Sequence, residues 1–243
     1  MIRAAREDQR RLLELQSLDS RLARLAHERR TLPVLNEIRS LQTQAADTEK
    51  ERIRAATHLA DLRRELTRVE DDVEQIRQRS ARYQARAQGA GVSAKDAAAM
   101  EHEIALLAER TSVLEDAELE QMELVDAAER LLAGLREEEA AIAGRIAERA
   151  ADRDAEFERL DSLIAETRGR RDELAARLPA NLVALYDDVR VTTGGLGAVA
   201  LYGSRLEGAS FELSLTELAE IRAAPEDAVL VSEDHDVILV RMN

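Results

Sequence analysis

The chain has 243 residues, of which 35% are charged and 2% aromatic, with no Trp, no Cys and a net charge of −14. Zero cysteine excludes disulfides, thiol catalysis and a thiolate zinc site, and the acidity argues against a chain built to neutralise phosphates along its length. The apolar share, 45%, is mainly Leu and Ala mixed with Glu and Arg, the composition of long helices rather than of disorder.

The start, Met1-Ile2-Arg3-Ala4-Ala5-Arg6-Glu7, lacks the apolar run of a secretory signal. No segment approaches the ~18 uninterrupted apolar residues of a membrane span, so the chain reads as a soluble cytoplasmic protein. Apolar residues then recur every three or four positions: Leu15, Leu18, Leu22, Leu25, and later Leu59, Leu62, Leu66, Val69, Val73, Ile76. The second run alternates as a coiled-coil seam does. Pro33 removes a helical hydrogen bond wherever it sits inside a helix. It either ends the first helix near Arg30 and starts another, or kinks one continuous arm.

Gln88-Gly89-Ala90-Gly91-Val92-Ser93 stops the helix, and Ser93 is a good cap for the next one. The seam resumes with Ile104, Leu107, Thr111 and Leu114 and continues less strictly through Met122, Val125, Leu132, Leu135, Ile142 and Ile146. The break falls at the midpoint of a helical region from about residue 5 to residue 178. Two arms of equal length, each roughly 120–130 Å at 1.5 Å per residue, are what an antiparallel hairpin needs. Charge agrees: residues 1–88 carry 19 basic and 15 acidic side chains, and residues 89–178 carry 12 and 23. Arms of opposite sign favour folding against each other. An intramolecular hairpin is therefore preferred over a parallel homodimer, giving a monomer or weak homodimer.

Composition changes at Leu178-Pro179. A short helix over Asn181–Tyr186 precedes a Gly194-Gly195-Leu196-Gly197 connector, read as flexible. Strands are predicted at Ala198–Tyr202, Phe211–Leu213, Val229–Val231 and Val237–Val240. Ser214-Leu215-Thr216-Glu217 is a capping box ahead of a helix that Pro225 ends, and Glu233-Asp234-His235-Asp236 turns the last two strands into a hairpin. The expected fold is thus mainly α, a long antiparallel coiled-coil hairpin over 1–178 with its tip near 88–93, followed by a small α+β module over 179–243.

Ser93-Ala94-Lys95-Asp96 with Met100-Glu101-His102-Glu103-Ile104, Leu114-Glu115-Asp116 with Met122-Glu123, and the tail segments Phe211-Glu212-Leu213-Ser214, Ile221-Arg222-Ala223-Ala224-Pro225 and Ile238-Leu239-Val240-Arg241 resemble a known family. It is that of bacterial zinc-ribbon proteins with a long N-terminal coiled-coil hairpin, especially its actinobacterial branch. The resemblance implies two Cys-x-x-Cys knuckles, and these would fall on Leu206-Glu207-Gly208-Ala209 and Ser232-Glu233-Asp234-His235. Of the four ligand positions, Leu206, Ala209, Ser232 and His235, only His235 carries a metal-binding side chain, and one imidazole does not make a tetrahedral site. The tail therefore reads as a degenerate ribbon with no zinc and no other cofactor. It is held instead by Leu206, Phe211, Leu213, Leu230 and Ile238 and by packing against the base of the coiled coil.

No catalytic arrangement of Ser, His and Asp stands out. His235 with Glu233, Asp234 and Asp236 reads as a solvated turn rather than a weak metal site. His102, between Glu101 and Glu103, cannot converge with its neighbours on a helix and reads as a surface position. His27 and His58 are single histidines on the arms. The acidic run Glu115, Asp116, Glu118, Glu120 and Glu123 reads as a face complementary to the basic first arm. The glycine loop lacks the Gly-Lys-Ser/Thr ending of a phosphate site.

The function that fits is a non-enzymatic adaptor or chaperone-like scaffold for unidentified protein partners. It would present the tip (Ala97, Ala98, Met100, His102) and the tail (Phe211). Through the resemblance, relatives in other bacteria are linked to flagellar or type III export. The alternative is nucleic-acid binding of the zinc-ribbon type. It is disfavoured because residues 179–243 hold 11 acidic and four basic side chains, the wrong sign for phosphate neutralisation.

Overall fold

The computed structural model describes residues 2–89, 92–208 and 211–242. Ala90 and Gly91 of the expected tip, and Ala209, one of the positions matched to a ligand by resemblance, lie outside them. The elements are α1 (Arg6–Arg30), α2 (Pro33–Ala87), α3 (Ala94–Ala175), α4 (Ala180–Thr192), β1 (Ala198–Tyr202), β2 (Arg205–Glu207), α5 (Leu215–Ala223), β3 (Leu230–Val231) and β4 (Ile238–Arg241). The fold is the expected one, mainly α with a helical hairpin and a small C-terminal sheet module. Pro33 breaks the first arm rather than kinking it. Thr31 caps α1 through its N–H to His27 and Glu28, and Pro33 opens α2, where its missing N–H costs nothing. The chain divides into two compact units, Met1–Leu35 with Ala151–Asn243, and Asn36–Ala150.

In the second unit α2 and α3 run antiparallel. Ala55, Leu59, Ala128 and Leu132 are buried together, with Leu62, Val125 and Leu135 packed against them. Cross-helix pairs Arg52–Glu139 (3.0 Å), Arg63–Glu129 (2.5 Å) and Arg77–Glu115 (2.6 Å) flank this seam. The last two are largely exposed and Arg52–Glu139 is half-buried; each contributes little alone, but together they favour one register. One expected seam residue is misplaced: Met122 is 48% exposed. Gln121 sits there instead, half-buried, and its Nε2 donates to the Leu62 carbonyl at 3.2 Å.

In the first unit a four-stranded sheet, ordered β2-β1-β4-β3, is antiparallel at both edges and parallel between β1 and β4. Alternation along the two central strands sends their side chains to opposite faces. Ala198, Ile238 and Val240 join Leu12 and Leu15 of α1 and Leu182, Tyr186 and Val189 of α4. Val199, Leu201, Val237 and Leu239 join Leu218 and Ile221 of α5, covered by Leu206, Phe211 and Leu213. The N-terminal segment is stitched to the tail, with Ala4 N–H donating to Asp227 at 2.9 Å and Val229 N–H to Ile2 at 3.1 Å.

Three expectations for the tail are corrected. Phe211–Leu213 is not a strand. The chain reverses after β1 through Gly203-Ser204, with Gly203 at φ 66° in the first position of a two-residue turn. Arg205–Glu207 therefore takes the free edge of β1, and Phe211 and Leu213 instead pack onto the α5 face of the sheet. The tail helix extends to Thr192, not Tyr186. The glycine segment is also no loose connector. Thr193 Oγ1 donates to Leu196 O at 2.7 Å, and Gly197 N–H donates to Gln16 Oε1 at 2.6 Å. The capping box is half formed: Ser214 Oγ accepts from Glu217 N–H at 3.1 Å. The Glu217 carboxylate reaches away to accept from Glu233 N–H at 3.3 Å, tying α5 to the β3–β4 turn.

Candidate functional site

The expected interaction residues cluster by position rather than by contact. Ser93 caps α3, its Oγ accepting from Asp96 N–H at 3.1 Å. That cap sets the direction in which the first turns of the helix leave the tip. Ala98 and His102 are exposed, and Ala97 and Met100 are half-buried. Met100 lines a cleft of about 440 Å³ with Tyr83, Arg86, Val92, Asp96, Ala99 and Glu103. Phe211 lies far from these in sequence and belongs to the other unit.

The positions that the resemblance would make zinc ligands do not assemble a donor set among the described residues. Leu206 is packed with the apolar cluster that includes Phe211 and Leu230. The His235 ring stacks on Phe211, with centroids 3.8 Å apart and 29° between planes. Ser232 is 1% exposed and its Oγ has no hydrogen-bond partner. Among the described residues no three His, Asp or Glu side chains converge as metal ligands, so the residues present do not fit a zinc ion. The acidic run is likewise only partly absorbed by the first arm. Glu115 pairs with Arg77, and Asp116, Glu120 and Glu123 make no ion pair among the described residues.

The best-built polar site was not foreseen. Gln16 and Asp19, one turn apart on α1, are 9% and 5% exposed. Gln16 Oε1 accepts from the N–H groups of Gly197 (2.6 Å) and Ala198 (3.3 Å), and its Nε2 donates to Gly195 O at 2.9 Å. Tyr186 Oη donates to Asp19 Oδ2 at 2.9 Å. Arg171 Nε and Arg190 Nε lie 3.4 and 3.7 Å from the two Asp19 oxygens, and Arg171 also pairs with Asp187. Burial alone would lower the Arg171 pKa, but Asp19 and Asp187 more than offset it and hold the guanidinium above its ordinary value. Two cations facing one carboxylate and one hydroxyl, with no nucleophile beside a base, make a clamp. It fastens α4 and the glycine segment onto α1. The signal that could have found it is a pair of polar residues three apart inside the apolar spacing of Leu12, Leu15 and Leu22.

Burial, reinforced by Asp19, pushes the Tyr186 phenol well above its ordinary range. The unfolded value is about 10. A folded value above it means that the stability contribution is fully present below that pH and is lost as pH rises through the folded value. Tyr186→Phe should cost about 1 kcal/mol at neutral pH and flatten the alkaline decline of the unfolding midpoint. Parallel declines for the two proteins would show that this hydroxyl is not the titrating group.

The geometry defines a class: a coiled-coil hairpin protein carrying an α+β module whose polar core is a fastening. No helix among the described residues is long and apolar enough to cross a membrane. The chain belongs to the CT398-like coiled coil hairpin domain family, whose profile matches residues 15–194 and so ends before the first strand. It is 33% identical over 250 residues to an uncharacterized protein of Mycobacterium tuberculosis, an alignment covering 99% of this chain and 98% of that one. A solved structure from Mycobacterium smegmatis superposes with a TM-score of 0.87 at 29% identity, covering 99% of this chain and 100% of the other. CT398 from Chlamydia trachomatis shares the fold, with a TM-score of 0.70 at 15% identity over 97% and 98% of the two chains.

Proposed function

We propose that the protein is a non-enzymatic, chaperone-like adaptor of the cytoplasm that presents its hairpin tip and a metal-free, ribbon-like module to partner proteins. The observation that carries this reading is the tip cleft. It is lined by Val92, Ala99 and Met100 beside Tyr83, together with Arg86, Asp96 and Glu103. Mixed apolar and charged lining is the composition of a protein-binding surface. The arginines of the first arm that pair across the seam with Glu139, Glu129 and Glu115 are not offered to phosphates, which supports protein over nucleic acid as the partner. Replacing Ala97, Ala98 and Met100 together by Glu should leave helicity unchanged and reduce partner capture from lysate. Unchanged capture would remove the tip from the reading. Degeneracy of the ribbon has its own measurement: purified protein should contain no stoichiometric zinc by elemental analysis, and one zinc per chain would overturn it.

A further inference from the structure

The outer side of α3 carries a second apolar column that stays exposed among the described residues. Leu106, Val113, Leu124 and Leu131 are 47%, 63%, 52% and 57% exposed. They are spaced seven, eleven and seven residues apart, about two, three and two turns of helix, so they lie along one line. Half-buried Ala117 sits on the same line between Val113 and Leu124. Each member immediately precedes a seam residue: Leu107, Leu114, Val125 and Leu132, all buried or half-buried toward α2. One apolar column suffices for a helix with one neighbour. Two adjacent columns, one step round from each other, are what a helix between two neighbours needs.

Charge says what the second neighbour is. On the α2 side, Glu103, Glu115, Glu129 and Glu139 face Arg79, Arg77, Arg63 and Arg52. Beside the outer column Glu109, Asp116, Glu120 and Glu123 are all exposed, and among the described residues none of them has an ion pair or hydrogen bond. Arg110 and Arg130, the latter next in the row of Glu109, Asp116 and Glu123 and paired with Asp126, are the basic exceptions. A predominantly acidic rim along an apolar line selects the opposite sign in whatever docks there.

We infer that this face of α3, within residues 106–131, is a docking site for an amphipathic helix of a partner protein, one with apolar residues at heptad spacing and Lys or Arg along its flank. The inference rests on the interaction-protein reading above and gives it a partner class and a place away from the tip. A second copy of the chain is the poorer occupant. The column could meet its own antiparallel image, but Asp116 and Glu120 of both copies would then crowd the two-fold axis with unneutralised carboxylates.

The test uses the full chain and three fluorescent synthetic peptides of about four heptads. The first has Leu at a and d with Lys at e and g. The second replaces those Lys by Glu, and the third shuffles the first so that charge is kept and the apolar spacing lost. By anisotropy the first peptide should bind at least about tenfold tighter than the other two, and its binding should weaken with salt. The double variant V113E/L124E should weaken that binding about tenfold or more although it makes the chain more acidic. Leu119→Glu adds a negative charge at a site that is 60% exposed and off the column, and should weaken nothing. Circular dichroism should be the same for all variants. Equal binding by the shuffled peptide, or undiminished binding by V113E/L124E, would overturn the inference, because charge alone would then explain attraction. So would a concentration-dependent dimer that V113E/L124E dissolves in sedimentation, since the occupant would be a second copy. If tip substitutions abolish partner capture while V113E/L124E leaves peptide binding intact, this inference falls and the adaptor reading stands.

Discussion

Gly197→Ala should destabilise the first unit by about 2–4 kcal/mol, a large effect for one added methyl group. Gly197 is buried beneath the Tyr186 ring, and a Cβ built on its backbone would fall within 2.9 Å of three ring atoms, Cε2, Cδ2 and Cζ. The ring has no room to yield, because Tyr186 is 0% exposed and its hydroxyl is fastened to Asp19. The backbone cannot retreat either, since the N–H groups of Gly197 and Ala198 both reach Gln16 Oε1. Chemical denaturation followed by hydrogen exchange should show lower stability, with protection lost together in α1, α4 and β1. An unchanged midpoint would mean that the ring swings aside at no cost and that the clamp is looser than its distances imply.

Removing the charge at the centre of that clamp should be at least as damaging. The Asp19 side chain is 4% exposed and faces Arg171 and Arg190, whose side chains are 17% and 34% exposed. Asp19→Ala leaves two partly buried guanidinium groups and a buried phenol with one acceptor fewer. Deleting one partner of a buried ion pair costs about 3–5 kcal/mol, and the remaining bond from Arg171 to Asp187 places the expected loss toward the lower end. Asp19→Asn keeps the shape and an acceptor for Tyr186 and should lose less. A loss below about 1 kcal/mol for the alanine variant would show that water replaces the carboxylate readily.

The hairpin was legible because several independent signals converge on it. The 3-4 spacing from Leu59 to Ile76, two glycines at the midpoint and the charge asymmetry of the arms all specify one antiparallel pairing. The sequence left the outcome at Pro33 open, because a break and a kink look alike until Thr31 is seen capping α1. Where the reading failed, a polar atom found a partner far away in the chain. Gln121 displaced Met122 from the seam because its amide reaches the Leu62 carbonyl, an event that hydropathy does not register. Gln16 and Asp19 drew no reading from the sequence, since their partners lie more than 150 residues further on. Phe211–Leu213 had a strand's composition, but β2 reached the open edge first. The outer column of α3 escaped notice because a heptad reading looks for one apolar line, and the first one satisfied it.

The stitching of both chain ends into one unit has a consequence for synthesis. Helix α1 leaves the ribosome before the surfaces that cover Leu12 and Leu15, which come from α4 and from β4, more than 140 residues further on. At about 5–20 residues per second, the N-terminal helix waits on the order of ten seconds or more with its apolar face bare. Residues 36–150 have by then emerged with pairing partners closer in sequence than those of α1, so they fold first by the usual preference for less distant contacts. Closure of the first unit is then a late, long-range event that depends on the final strand. That places the hazard of misassembly on the exposed apolar face of α1 around Leu12 and Leu15.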